Sequence, residues 1–403
     1  MGPEPVQWPP AGIRAFRRDV TPDALAAAFT AILISATGPF AILLSVSKSA
    51  DLSPEITASM AAVAYGAGGV LTLILCALYR QPITVLWTIA GITLLPAALT
   101  QMSFAEAMGA SIVAALLLAA LGWSGAINIL MRFVPVPVAL GMLLGVFLPF
   151  GTGMVTSVAD APLIAGTTVA AFAAASLFPA FSRRVPPIFA AMIAGALALS
   201  FLPGDPIALP PLELVSPVFV MPVFRLDAIL SLTPAMLMTM VAIHNGQSFA
   251  VMKARGVPPN YNGVTFALGL GGTFNGFFGA VPATLGTIHT ALFSPLSPPE
   301  SRWTASVTFG LLAILLGLLA PTAARLAFVL PAPFTATLAG LALLGILKQS
   351  FSEAFRGEDQ MAALVAFLVS ASGITIMGLA APLWALIAGV TVSQCKSLVQ
   401  RHG

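Results

Sequence analysis

Residues 279–295 read GAVPATLGTIHTALFSP. The stretch is apolar enough for a lipid bilayer, but prolines stand near both ends and a glycine breaks its middle. Its helical part cannot run much beyond about 13 residues, whereas a helix that crosses the hydrocarbon core needs about 20. The stretch therefore predicts a half-helix inside a membrane, with Thr284, Thr287, His289 and Thr290 along it.

The composition supports a membrane location for the whole chain. Of 403 residues, 58% are hydrophobic and 8% are charged, whereas soluble domains carry about 25% charged residues. We therefore predict an all-α polytopic membrane protein. Basic residues form no cluster that predicts nucleic-acid binding, the two cysteines are too few for a disulfide framework or a metal site, and the basic N-terminus does not read as a cleaved signal peptide. We expect no cofactor.

Apolar runs bounded by proline, glycine or charge predict about 14 transmembrane segments. The predicted spans are 22–47, 54–79, 83–100, 104–130, 136–157, 160–181, 186–202, 228–252, 259–277, 281–295, 303–324, 333–352, 359–378 and 380–397. The third and tenth are short or interrupted.

The distribution of positive charge predicts the orientation of these spans. With the N-terminus inside, only Lys48, Arg225 and Arg325 of the 17 basic residues fall outside, in agreement with the positive-inside rule. Both termini are then cytoplasmic. The predicted organisation is an N-terminal tail (1–21), a first seven-span repeat (22–202), an external connecting loop (203–227), and a second repeat with a short tail (228–403).

Two short motifs indicate that the halves are related. Pro-x-Pro opens the fifth span at 135–137 and the twelfth at 331–333, and Pro-x-Thr occurs in the third at 82–84 and the tenth at 282–284. Seven spans per half make the second repeat inverted. Inverted repeats with interrupted helices at matching positions are typical of secondary transporters and mark their binding sites.

The interrupted segments predict an anion site. Helix N-termini at residues 82–84 and 282–284 would present unpaired N–H groups and positive dipole ends. The hydroxyls of Thr84, Thr88, Thr284 and Thr287 and the ring of Trp87 complete the predicted site. The competing interpretation is a pair of proline-kinked packing helices.

Titratable groups inside the membrane are few. All 14 acidic residues lie near span ends or in loops, so histidine is the natural candidate for proton coupling. His244 and His289 lie in the eighth and tenth spans, although a membrane histidine is often only a packing residue. Asn245 beside His244, and Thr37 in the first span, are further candidate site residues. The glycine-rich run 268–279 favours close helix packing over phosphate binding.

The eighth span also carries a resemblance to a known family. AIHNGQSFAVMKARG at 242–256 resembles the A-S-Q-N-x-P-G-x-A-V-L-R-A-x-G segment of the BenE family of benzoate:proton symporters, which share their architecture with nucleobase transporters. QPITVLWTIAG at 81–91 is similar to the family's M-P-V-V-T-A-W-S-T-P-G, and GAVPATLGTIHTA at 279–291 to G-H-A-V-N-L-A-A-I-T-A-A. Where the family has Gln, Pro-Gly and Asn, this chain has His244, Gln247-Ser248 and Pro282, all at the predicted site.

The resemblance implies a core domain of spans 1–4 and 8–11, and a gate domain of spans 5–7 and 12–14. The substrate would lie between the third and tenth segments. We predict a transporter of the bacterial inner membrane that imports benzoate or a similar small aromatic carboxylate with a proton. The resemblance also implies a homodimer. Alternatives are a nucleobase or other organic-anion carrier, an anion channel and, with least support, a membrane-embedded enzyme.

Overall fold

The computed structural model describes residues 10–126, 135–178, 186–201 and 211–402, together with Val6. In the first half the elements are α1 (Ile13–Asp19), α2 (Pro22–Ser49), α3 (Pro54–Tyr79), β1 (Val85–Trp87), α4 (Ile89–Ile92), α5 (Leu95–Leu99), α6 (Phe104–Ser124), α7 (Val136–Asp160), α8 (Thr167–Leu177, after a π-turn at Pro162–Gly166) and α9 (Pro187–Leu199).

The second half follows the same plan. Its elements are α10 (Leu226–Met238), a π-helical segment (Thr239–Asn245), α11 (Gly246–Ala254), α12 (Tyr261–Gly276), β2 (Ala283–Leu285), α13 (Thr287–Phe293), a 3₁₀ turn (Pro299–Ser301), α14 (Arg302–Leu318), α15 (Ala320–Val329), α16 (Ala332–Ala354), α17 (Gln360–Ala371) and α18 (Ala381–His402). Each of the 14 predicted spans contains a described helix, so the polytopic all-α class is confirmed.

Seven of the described helices are long and apolar enough to cross a membrane, and four apolar ones are shorter. The sequence explains where several begin. Thr21, Ser53 and Ser103 each accept a hydrogen bond from a backbone N–H of the first helical turn, as N-cap residues do. The Pro-x-Pro motifs also act as predicted, because Pro135 and Pro331 are the N-caps of α7 and α16.

Two predicted boundaries are wrong. The half-helices do not begin at 82–84 and 282–284, because these residues lead into strands β1 and β2, and the helices begin at Ile89 and Thr287. The strands pair antiparallel, with Leu86 opposite Thr284, so their backbone groups find partners that a lone extended segment in lipid would lack. The span predicted at 303–324 is also broken, between α14 and α15.

The strand pair also corrects the alignment of the repeats. The structure matches Val85 with Ala283 as the first residue of each strand, whereas the Pro-x-Thr motif matched Thr84 with Thr284. The flanking hydrogen bonds follow the structural match: the N–H of Thr88 donates to Pro282 and the N–H of Gly286 donates to Thr84. The alignment of the two halves by the Pro-x-Thr motif was therefore wrong by two residues.

Glycines allow several of the long helices to pack closely against one another. A Cβ built at Gly269 of α12 would lie 2.4 Å from the backbone nitrogen of Ala119 in α6, and one at Gly69 of α3 would lie 2.5 Å from the carbonyl oxygen of Gly310 in α14. Such approaches are possible only without side chains. The packing role predicted for the glycine-rich run is confirmed.

The described part of the predicted connecting loop, residues 211–225, crosses one end of these helices without forming helix or strand; residues 202–210 lie outside the described ranges. Its backbone bonds to the start or end of several helices, including Val215 to Leu318 and Val223 to Ala105. Following the division that the resemblance implied, we call α7–α9 and α16–α18 the gate, and α2–α6 with β1 and α10–α15 with β2 the core. The two groups also contact each other, above all between α16 and α2.

Candidate functional site

A cavity of about 80 Å³ lies where the two strands give way to half-helices. It is enclosed by α2, the strand ends, α4, the π-helical segment, α11, α13 and the gate helix α16. Its lining residues are Pro39, Leu86, Trp87, Ile89, Ile243, His244, Gln247, Leu285, Gly286, Thr287, Ile288, His289, Ile346, Gln349 and Ser350. None of these carries a fixed charge, so an anion bound here would be stabilised by backbone and side-chain dipoles.

The first half-helix, α4, begins at the cavity with its end already capped. The hydroxyl of Thr88 accepts a 2.8 Å hydrogen bond from the N–H of Gly91 and lies 2.9 Å from the hydroxyl of Thr239. The N–H of Ala90 donates a longer bond, 3.4 Å, to Nε2 of His244. His244 therefore contacts the start of the half-helix that the sequence assigned to binding a substrate anion.

The second half-helix, α13, begins without a side-chain cap. Thr287 at its first position donates to the carbonyl of His244 (3.2 Å) and lies 3.1 Å from the hydroxyl of Ser248. Oδ1 of Asn245 accepts a 3.0 Å bond from the N–H of Leu285. The His244–Ser248 segment thus ties both half-helices together, and Asn245 positions β2 without lining the cavity.

His289 is buried, with 2% of its surface exposed. Its Nε2 lies 2.8 Å from the hydroxyl of Ser35, and its ring lies against Phe309 with centroids 4.5 Å apart. Its Nδ1 has no hydrogen-bond partner among the described residues. The residue is both packed in the core and part of the cavity wall.

Trp87 is almost fully buried, and its ring meets Tyr65 edge-on at a centroid distance of 4.4 Å. Its indole N–H has no acceptor among the described residues. A buried donor without a partner is costly, so a ligand oxygen or a water at this point would be stabilised by it. Tyr65 in turn donates to the carbonyl of Ser35, which links Trp87 to the His289 contact.

Five of the nine predicted site residues do not line the cavity: Thr88 and Asn245, whose contacts are given above, and Thr37, Thr84 and Thr284. Thr84 lies 3.1 Å from the hydroxyl of Ser306, behind β1. Thr284 lies within β2 and is fully buried. Thr37 donates to the carbonyl of Leu33 in its own helix. Thr84 and Thr284 were placed at helix starts that the strands have replaced.

Three further residues near the cavity had no role in the sequence prediction: Gln349, Ser350 and Glu353. They lie in the segment KQSFSE near the end of α16. One glutamine and two serines close together at the end of the predicted span 333–352 were the available signal, since polar side chains in a membrane need partners. No group of metal-ligating side chains occurs among the described residues.

The sequence comparisons agree with the resemblance. The profile of the BenE family, described as "Benzoate membrane transport protein", matches residues 18–395. The inner membrane protein YdcO of Escherichia coli (strain K12) is 30% identical over 377 residues, covering 92% of this chain and 95% of that protein. The benzoate membrane transport protein of Acinetobacter baylyi (strain ATCC 33305 / BD413 / ADP1) is 27% identical over 388 residues, covering 94% and 96%.

Solved structures share the fold. The transmembrane domain of the cyanobacterial bicarbonate transporter BicA matches with a TM-score of 0.58 at 16% identity, over 95% of this chain and 98% of that one. The structure of SLC26A9 matches with a TM-score of 0.64 at 14% identity, over 97% and 66%. At such identities the likeness concerns the fold alone. The family match and the relatives together show that this chain is a membrane transport protein of the BenE family.

Proposed function

We propose that the protein imports benzoate or a similar small aromatic carboxylate together with a proton, by alternating access of the cavity between α4 and α13. The observation that carries the proposal is an uncharged cavity bordered by both half-helices and by an indole and two imidazoles. The family profile and the name of the Acinetobacter relative support the substrate class.

The chemistry of the lining supports the proposed co-transport of a proton. No lining residue has a fixed positive charge, so a carboxylate entering alone would bring an uncompensated charge into the membrane. A proton taken up with it makes the loaded site neutral. His244 and His289 are the titratable groups in the lining, and histidine is the side chain suited to carry that proton near neutral pH.

The size of the cavity fits a closed resting form. A dry cavity of about 150 Å³ holds benzene, whereas this one measures about 80 Å³. A benzoate ring therefore requires the walls to separate, and the wall that belongs to the gate is α16, with Ile346, Gln349 and Ser350. Movement of core against gate, as in other inverted-repeat transporters, would supply the space.

Uptake into proteoliposomes tests the proposal. Labelled benzoate should accumulate when the outside is acidic, and Trp87→Ala and Thr287→Ala should abolish accumulation while the proteins still fold. Thr30→Ala is the matched control, because Thr30 is exposed and bonds only to Ala26 of its own helix. Normal uptake by both site variants would remove the site.

Competition separates the alternatives. Uracil or bicarbonate in excess should leave benzoate uptake unchanged if the aromatic carboxylate is the substrate. Strong inhibition by uracil would favour a nucleobase carrier. Flux that does not saturate and ignores the proton gradient would favour an anion channel.

We also propose a multi-pass location in the bacterial inner membrane with both termini cytoplasmic. The positive-inside distribution and the printed name of the Escherichia coli relative support it. His402 lies beyond the last predicted span, so a cysteine introduced there in a Cys395→Ser background should be labelled by an impermeant maleimide in inside-out vesicles and not in intact cells. The opposite pattern would reverse the orientation.

A further inference from the structure

A second, larger cavity lies between core and gate on the other side of the half-helices. This cavity, which we call the vestibule, measures about 440 Å³ and is lined by the end of α2, by α5, by the middle of α7, and by the ends of gate helices near Ser370 and Pro382. Its lining in this segment begins at Thr93, directly after α4, whereas the 80 Å³ cavity is lined by Ile89 at the start of α4. The four-residue helix α4 therefore stands between them.

Helix α16 passes both cavities. Ala336 near its start lines the vestibule, Ile346 lines the smaller cavity, and Glu353 lies near its end. At 1.5 Å per residue, Ala336 and Glu353 are about 25 Å apart along the helix. The end of α16 at Glu353 is thus on the far side of the smaller cavity from the vestibule.

At that far side Glu353 joins the two domains. Its Oε2 accepts a 3.3 Å hydrogen bond from the side-chain amide of Gln247, in core helix α11. Its Oε1 accepts a 2.8 Å bond from the side-chain amide of Gln349, one turn earlier in α16. Both glutamines line the smaller cavity, so the carboxylate holds a lining residue of each domain.

We propose that Glu353 is a positioning residue for transport: by holding Gln247 of the core against the gate, it closes the smaller cavity toward the face where α11 and α16 end, while the vestibule stays open at the opposite face. The inference rests on the proposed alternating access and adds the contact that sets which face is closed. A carboxylate suits this role because it accepts from two amides at once and bonds to a charged group are stronger than neutral ones.

The two glutamines provide a matched test. Gln247→Ala and Gln349→Ala each delete one amide donor to the same carboxylate, but only the first removes a bond between domains. Reporter cysteines are introduced at Ser350, in the smaller cavity, and at Ser49, in the vestibule. Cys395→Ser removes the exposed native thiol, and the buried Cys76 stays in place.

Labelling by a water-soluble maleimide is measured on the full chain in nanodiscs, where both faces are accessible. Gln247→Ala and Glu353→Ala should each raise the labelling rate at Ser350→Cys by about threefold or more, and lower it at Ser49→Cys, because a charge-assisted bond holding the closed form is lost. Gln349→Ala should leave the rate at Ser49→Cys, in the vestibule, at the parental value. Size-exclusion profiles identify any variant that does not fold.

Equal effects of the two glutamine variants on the rate at Ser49→Cys would overturn the proposal, and so would parental labelling in both Gln247→Ala and Glu353→Ala. The measurement needs no substrate. If the labelling pattern is found but benzoate is not taken up, the substrate is rejected and the role of Glu353 stands. If benzoate is taken up but the labelling pattern is absent, the role of Glu353 is rejected and the substrate stands.

Discussion

The Nε2 atom of His289 lies 2.8 Å from the hydroxyl oxygen of Ser35, although 254 positions separate the two residues in the chain. The contact joins half-helix α13 to the first long helix, and the aromatic ring of Phe309 covers the imidazole. It shows that His289 has a packing partner, and its unpartnered Nδ1 leaves one nitrogen for a ligand.

Because Ser35 and His289 pack against each other, we expect their contributions to the free energy of unfolding to be coupled. Ser35→Ala and His289→Leu should each lower the free energy of unfolding by about 1 kcal/mol or more, because each leaves a buried polar group or a gap. The double variant should lose less than the sum, with a coupling energy of about 0.5 kcal/mol or greater. Thermal unfolding in detergent of the four proteins measures this, and strict additivity would contradict the contact.

Replacing His244 should separate the binding of benzoate from the coupling of its uptake to protons. His244→Gln keeps a side-chain oxygen that can accept from the N–H of Ala90, but an amide takes up no proton. We expect this variant to bind benzoate with little change and to lose the acceleration of uptake by an acid-outside gradient. Since the family has Gln at this position, that loss would make proton carriage by His244 a feature of this chain. His244→Leu, which lacks the acceptor, should lose both the binding and the acceleration.

Binding and gradient-driven uptake by the His244 variants are measured separately in proteoliposomes. Acceleration of His244→Gln uptake to the parental extent would assign the proton to another group, with His289 as the remaining histidine in the cavity lining.

The close contact between α3 and α14 predicts a steric effect. Gly69→Ala places a methyl group 2.5 Å from the carbonyl oxygen of Gly310, so the helices must separate, at a cost of about 1–3 kcal/mol. Gly66→Ala on the same helix meets nothing within 4 Å and should be neutral or raise stability by about 0.5–1 kcal/mol. Melting temperatures of the two variants give the comparison, and equal values would contradict this packing.

The contacts of Asp19 predict that acid weakens the attachment of the N-terminal helix α1 to α14. Its carboxylate accepts from Arg18 and, at 3.1 Å, from the indole N–H of Trp303 at the start of α14. The hydrogen bond from Arg18 is the main cause that lowers the pKa of Asp19 below its ordinary 3.8, and the bond from Trp303 adds to it. A lowered pKa means that the stabilisation is complete above pH 3.8 and is lost as the pH falls through the folded-state value.

Asp19→Asn should therefore melt below the parent at pH 7, and the difference should shrink as the pH falls below 4. Melting curves of both proteins from pH 7 to pH 3 measure this. A difference that stays constant over the whole range would exclude the charge as its cause.

The location of the site could be predicted from the sequence because the features that mark it lie within short segments. An apolar run too short to span a bilayer, with a counterpart in the other half, marked both half-helices, and Pro135 and Pro331 marked the starts of α7 and α16. The helix starts next to the site were missed by several residues. Val85–Trp87 and Ala283–Leu285 are three residues long and apolar except for Thr284, and nothing local distinguishes such a strand from a helical turn.

The sequence by itself determined that the chain is a polytopic helical membrane protein of two related halves, because hydrophobic length, proline position and the distribution of charge each act over a single segment. Only the tertiary structure decided which polar groups meet: that His244 bonds to the start of α4, that Ser35 reaches His289, and that Glu353 joins core to gate. These contacts join residues far apart in the chain, and the membrane makes them necessary because a buried polar group there must find its partner within the protein.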